Sequence, residues 1–100
     1  MRELTLKCVQ EAMRAAYYER DSKRGLFRTF AWLIEEVGEL AEALIKGSSE
    51  SIKEELADVI AWTLSVANLV GVDVEEALKE KYGDVLKMAA CGLMDLGESG

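Results

Sequence analysis

Two stretches decide the reading of this chain: Trp32-Leu33-Ile34-Glu35-Glu36-Val37-Gly38-Glu39-Leu40-Ala41-Glu42 and, after a gap of twelve residues, Glu55-Leu56-Ala57-Asp58-Val59-Ile60-Ala61-Trp62. The apolar residues around them keep helical spacing, at Phe30, Leu33, Val37, Leu40 and Leu44 and again at Ile52, Leu56, Val59, Thr63, Val66 and Val70. Each stretch also holds an i,i+3 acidic pair, Glu36 with Glu39 and Glu55 with Asp58, whose members lie about 60° apart on one side of a helix. Acidic pairs on amphipathic helices are ordinarily solvated, but three features argue otherwise here. The acidic sector continues into Trp32 and Ala43 on the first helix and into Trp62 and Leu69 on the second, and a wet face would rarely carry both tryptophans of the chain. The i+4 positions that could relieve the repulsion hold Leu40, Ala43, Val59 and Trp62 rather than a cation.

The third feature is the short loop around Lys46 to Ser51, which folds the two helices into an antiparallel hairpin and brings the acidic pairs level. Four carboxylates then converge. At an effective dielectric of about 20, two unit charges ~4 Å apart cost roughly 4 kcal/mol, comparable with the ~5–15 kcal/mol stability of a whole domain. A bound divalent cation is the simplest remedy. Oxygen ligands without His or Cys select Mg2+, with Mn2+ possible, over Zn2+, and Mg2+ is commonly shared with a substrate phosphate. The Glu-x-x-His di-iron bundle is excluded, because the chain has no histidine.

The rest of the sequence bounds the possibilities. One hundred residues, half of them hydrophobic, fit a single domain over 1–100; with no proline and eight glycines the composition predicts an all-α antiparallel bundle of four to five helices. Lacking histidine, the chain has no His-based acid–base chemistry or triad. A formal charge of −7 disfavours nucleic acid and anionic membrane as partners. Two distant cysteines, Cys8 and Cys91, predict reduced thiols rather than a disulfide framework. The absence of an apolar signal core near Glu3, and of an apolar run of the ~18 residues a span requires, predicts a soluble, cytoplasmic protein.

The pattern at Leu6, Val9, Met13, Ala16 and Tyr17 predicts a first helix from Glu3 to Arg20, followed by a loop over Arg20 to Gly25. Gly47-Ser48-Ser49 reads as a stop and a cap, and Asp73 with Glu76 as the capped start of a short helix from Val74 to Tyr82, followed by a fainter helical pattern from Val85 to Leu96 and a fraying end. The second half of the third helix is apolar nearly all round and predicts an oligomer.

The two acidic motifs resemble the signature of the MazG family of all-α nucleotide pyrophosphohydrolases, Glu-Glu-x-x-Glu, a variable gap, then Glu-x-x-Asp, and the resemblance runs from about Phe30 to Tyr82. It implies a helical fold forming a homodimer or homotetramer, and hydrolysis of a nucleoside triphosphate to the monophosphate and pyrophosphate. It matches Glu36, Glu39, Glu55 and Asp58 to the family's metal ligands and Glu35 to its extra glutamate, a candidate for the base that takes the proton from the attacking water. The chain departs from the family after Tyr82, where 83–100 has neither the asparagine nor the arginine of the usual basic stretch.

Phosphate partners are then sought elsewhere. Lys79 and Lys81 are candidates, although solvated helix charge is the simpler reading. Arg20, Lys23, Arg24 and Arg28 form a second basic group, equally readable as a solubilising loop. Trp32 and Trp62 could stack on a base, but packing explains them as well, and Tyr17 and Tyr18 share that ambiguity. Gly38, on a line with Ile34, Ala41 and Ile45, predicts a close helix approach. The expected activity is house-cleaning or pool-controlling hydrolysis of (deoxy)nucleoside triphosphates. The alternatives are a phosphoribosyl-ATP pyrophosphohydrolase and a non-catalytic acidic helical subunit that binds a partner.

Overall fold

A computed structural model of the chain describes residues 2–91 as four α-helices, with no strand among the described residues. They are α1 (Leu6–Arg24), α2 (Leu26–Lys46), α3 (Ser49–Val70) and α4 (Val74–Met88). The all-α expectation holds, and no single helix among them is long and apolar enough to cross a membrane.

The stretch expected as a loop, 20–25, is helical up to Arg24. Residues 20–24 include no glycine or proline, and ion pairs within the helix hold the last turn: Lys23 with Glu19 at 3.4 Å and Arg24 with Asp21. Only Gly25 interrupts the chain. Its φ of 98° is open to glycine, and its N–H closes α1 by donating to the Asp21 carbonyl at 2.9 Å. α2 therefore starts at Leu26 rather than at Phe30. Gly47, at φ 72°, ends α2, and the Ser48 hydroxyl accepts from the Ser51 N–H at the start of α3. Asp73 caps α4 as its spacing indicated, accepting from Glu76 N–H at 3.1 Å. α4 continues past the expected end at Tyr82 to Met88, bending where Tyr82 leaves helical backbone, so the two helical patterns read around Gly83 form one bent helix. The remainder of the second pattern and the end after Cys91 lie outside the described residues.

α2 and α3 pack along their length as the predicted hairpin, α1 packs mainly on α3, and α4 rests on α1. The apolar residues buried between them are few: Leu33 and Ala43 of α2, Leu64 and Ala67 of α3. The polar residues Gln10, Asp21, Thr29, Ser65 and Asn68 are buried with them. The radius of gyration, 15.6 Å, exceeds the ~13 Å of a compact chain of this length, so the helices leave much apolar surface uncovered.

Gln10 ties three elements together. Its amide nitrogen donates to Asn68 Oδ1 at 3.1 Å and to the Val72 carbonyl at 2.7 Å; its oxygen accepts from the Val74 N–H at 3.0 Å. Asn68 answers by donating to the Gln10 carbonyl at 3.1 Å. Glu75 adds a second tie by accepting from the Lys7 N–H at 2.8 Å, a carboxylate at the start of α1 where the helix dipole favours it. Gln10→Ala strands a buried amide and a helix-start N–H, and should lower unfolding free energy by about 1–3 kcal/mol in urea titrations; a loss within error of zero would show that water replaces these bonds at no cost.

Candidate metal centre

Because α2 and α3 run antiparallel from a tight turn, Glu36 and Glu39 on one meet Glu55 on the other. One carboxylate oxygen from each of the three lies within 4.8 Å of the others. Glu36 and Glu55 are half-buried and each keeps one oxygen, Oε2, buried without a hydrogen-bond partner. Among the described residues no lysine or arginine forms an ion pair with Glu36, Glu39, Glu55 or Asp58.

The consequence is electrostatic. Glu36 is pushed up to about 7, first by burial and then by the Glu39 charge, with Glu55 and Asp58 adding to it. Glu55 is also raised, by burial and by Glu39. Two buried, orphaned oxygens in a cluster of hard donors fit a divalent cation, which would satisfy the oxygens and cancel the repulsion together.

Asp58 does not join the oxygen cluster. Four carboxylates were expected to converge and three do, because Asp58, one turn beyond Glu55, lines instead a cavity of about 220 Å³ between α1 and α3, shared with Tyr17, Arg20, Trp62 and Ser65. A second cavity, of about 330 Å³, opens on the turn side of the cluster and is lined by Glu39, Glu55, Lys46, Ser48 and Ser51 among others. The carboxylates thus stand between two recesses. Glu35 is exposed and is not among the clustered oxygens; one residue before Glu36, its Cβ points about 100° away.

Trp32 and Trp62 stack on each other across the hairpin, ring centroids 6.0 Å apart and planes at 17°. The Arg24 guanidinium lies over both rings, at 5.8 and 5.2 Å from their centroids, while paired with Asp21. The two indoles are thus packed one turn above the acids, with Trp62 still reaching the α1–α3 cavity. Arg20, Lys23 and Arg24 are not a loose basic loop but helical residues with partners, and Arg28 is exposed near the start of α2. Lys79 pairs with Glu76 at 3.7 Å and Lys81 lies 5.5 Å from the Tyr82 ring, both on α4; neither lines the two cavities beside the carboxylates. The close approach expected at Gly38 is not made within the chain, since a Cβ built there meets nothing within 4 Å.

Sequence reasoning placed Asp21, which is 2% exposed, in a loop and did not single out Gln10, which is also buried. The signal existed. Gln10, Met13, Tyr17 and Asp21 fall on one stripe of α1 at 3–4 spacing, but a search confined to apolar residues drops its two ends.

The sequence model of the MazG nucleotide pyrophosphohydrolase domain matches residues 25–90, more than half of the chain and the span that carries α2, α3 and both acidic motifs. The chain belongs to the MazG family. No curated protein sequence matches it. MazG domains are nucleotide pyrophosphohydrolases and are generally dependent on a divalent metal, in keeping with the acidic cluster found here. All of α1, with Arg20, Asp21 and Arg24, lies before the matched MazG segment.

The raised Glu36 makes a prediction about the metal-free protein. The folded state binds this proton more tightly than the unfolded chain, so the stabilisation is complete below the ordinary value of 4.5 and is lost as pH rises through about 7. The melting temperature should therefore fall between those pH values in excess chelator, and Glu36→Gln should flatten the slope. An equally steep slope in the variant would place the titration elsewhere.

Proposed function

We propose that the chain hydrolyses nucleoside triphosphates to the monophosphate and pyrophosphate, using Mg2+ held by Glu36, Glu39 and Glu55, with Asp58 at its edge. The observation that carries this reading is the pair of buried, unpartnered carboxylate oxygens inside the three-glutamate cluster. When bound, the ion supplies charge neutralisation to the polyphosphate and lowers the pKa of an attacking water. The chain's own residues do the remainder. Glu36 and Glu55, one from each helix of the hairpin, present their carboxylates to one point before any ligand arrives. Asp58 stands at the border of the cluster and the α1–α3 cavity, where it can orient a water on the substrate side. Glu35, the base candidate offered by the family resemblance, would have to act through water, since it is exposed and its Cβ is turned about 100° from that of Glu36.

The cellular role that suits this chemistry is control or cleaning of the nucleotide pool. The alternative substrate, phosphoribosyl-ATP, would use the same carboxylates, and assay of that compound beside a panel of (deoxy)nucleoside triphosphates separates the two. With Mg2+ the panel should yield pyrophosphate. Glu55→Gln should reduce turnover by at least about 100-fold while raising the melting temperature of the metal-free protein, since it removes a repelling charge. A folded protein that releases no pyrophosphate from any of these compounds, and whose melting temperature ignores Mg2+, would leave the non-catalytic acidic subunit as the better reading.

We further propose that the working form is a homo-oligomer, a dimer or tetramer. Phe27, Ile34, Val37, Leu44 and Ile45 make an exposed apolar stripe along α2, with Leu56 and Ile60 exposed on α3. Gly38 lies in the same region with open space above it, which suits the approach of a helix from another copy. Light scattering should give a multiple of the 11.1 kDa chain mass, and Ile34→Glu should shift it toward the monomer.

A further inference from the structure

Around Asp21 the structure gathers two guanidiniums on one carboxylate. Arg24 is 18% exposed in its side chain; it is ion-paired to Asp21 and covers the stacked tryptophans, so its bonding capacity is largely used. Arg20 differs. It lies 3.6 Å from the same Asp21 oxygen, its guanidinium stacks on the Tyr17 ring at 4.5 Å, and 59% of its side chain stays exposed. It lines the cavity that Asp58 and Trp62 also line. One buried negative charge thus serves two positive ones, and the excess belongs to the member that faces the cavity. Arg20 does not spend that charge on the neighbouring acid, since it forms no ion pair with Asp58. Lys46, the cation beside the other cavity, is matched one to one by Glu42 at 2.7 Å.

We propose that Arg20 is the polyphosphate-binding residue of the site and that Asp21, aided by the Tyr17 ring, is the positioning residue that aims it. This rests on the nucleotide reading above. A triphosphate carries more negative charge than one divalent ion neutralises, and a guanidinium with fixed orientation and free N–H groups is the side chain best matched to phosphate oxygens. Asp58 marks the edge of the cation site, so a chain of phosphates reaching from the cluster into the α1–α3 cavity passes Arg20. The stacked and paired setting lowers the entropy lost when the guanidinium engages. A single α1 residue thereby supplies a guanidinium that the stretch 83–100, which has no arginine and no asparagine, does not.

Both tryptophans of the chain lie at this place, so their fluorescence reports binding without turnover. Wild type, Arg20→Gln, Arg20→Lys and Lys23→Gln are titrated with inorganic tripolyphosphate at fixed Mg2+, and nucleotide hydrolysis is followed in parallel. Lys23→Gln removes the same charge one turn away on an exposed side chain. Expected are a saturable signal in wild type, an increase in Kd of about 10- to 100-fold for Arg20→Gln with a matching rise in KM but kcat within a few-fold, partial recovery in Arg20→Lys, and no more than a small change in Lys23→Gln. Asp21→Asn should raise KM in the same direction if it folds. Absence of binding in wild type, the same Kd in Arg20→Gln, or equal losses in Arg20→Gln and Lys23→Gln would overturn the inference. Tripolyphosphate binding that depends on Arg20, together with no hydrolysis of any nucleotide, would instead overturn only the enzymatic reading.

Discussion

Three carboxylates held within an ion's reach of one another, with no ion pair to a lysine or arginine among the described residues, are the constraint around which this protein is arranged. Nothing local favours the cluster. Each i,i+3 acidic pair is repulsive on its own helix, and the hairpin compounds the repulsion by setting Glu55 against Glu36 and Glu39. The arrangement persists because the packing of α2 on α3, closed at Gly47 and Ser48, sets the register for all contacts at once; the glutamates follow from the same register that buries Leu33, Ala43 and Leu64. The raised affinity of Glu36 for a proton is the trace of that conflict. A protein that keeps such a conflict at a half-buried cluster exchanges stability for a place where positive charge is strongly wanted, a common trade at functional sites.

α1 acts as the wall of the site rather than as a filler of core. Its buried residues are Gln10 and Asp21, both polar, and each works by hydrogen bonding or ion pairing across elements. The Gln10 and Asn68 amides fasten the upper part of α1 to the end of α3 and the start of α4, while Asp21 organises the arginines near its end. Buried polar links of this kind contribute little net stability but specify one geometry, because any other leaves unpaired groups away from water. The cavity between α1 and α3 keeps its shape for that reason, and the apolar stripe left on α2 points to where further burial is still to be gained.

The elements with strong apolar periodicity were legible from the residues, and so were the caps at Ser48 and Asp73, since these signals are local. The acidic motifs were legible too, through spacing that places each pair on one helical side. What failed to show was charge-rich helix: the run from Arg20 to Arg24 resembles a loop by composition and is helical through ion pairs that depend on three- and four-residue neighbours. Trp32 and Trp62 each admitted two readings, because whether an indole faces a ligand or another indole depends on what the partner helix brings opposite it.

The linear order of residues by itself determined an all-α chain, a hairpin with two acidic pairs brought level, and oxygen donors without imidazole, since each of these follows from helical period, loop length and residue type. Only the tertiary structure decided that Glu36, Glu39 and Glu55 close on one point while Asp58 turns to the neighbouring cavity, and that Asp21 is buried with two arginines gathered on it. Helical spacing specifies an angle about one axis. Which oxygens meet depends on the crossing and register of two axes, and on a third helix whose position is settled by polar contacts that no periodicity records.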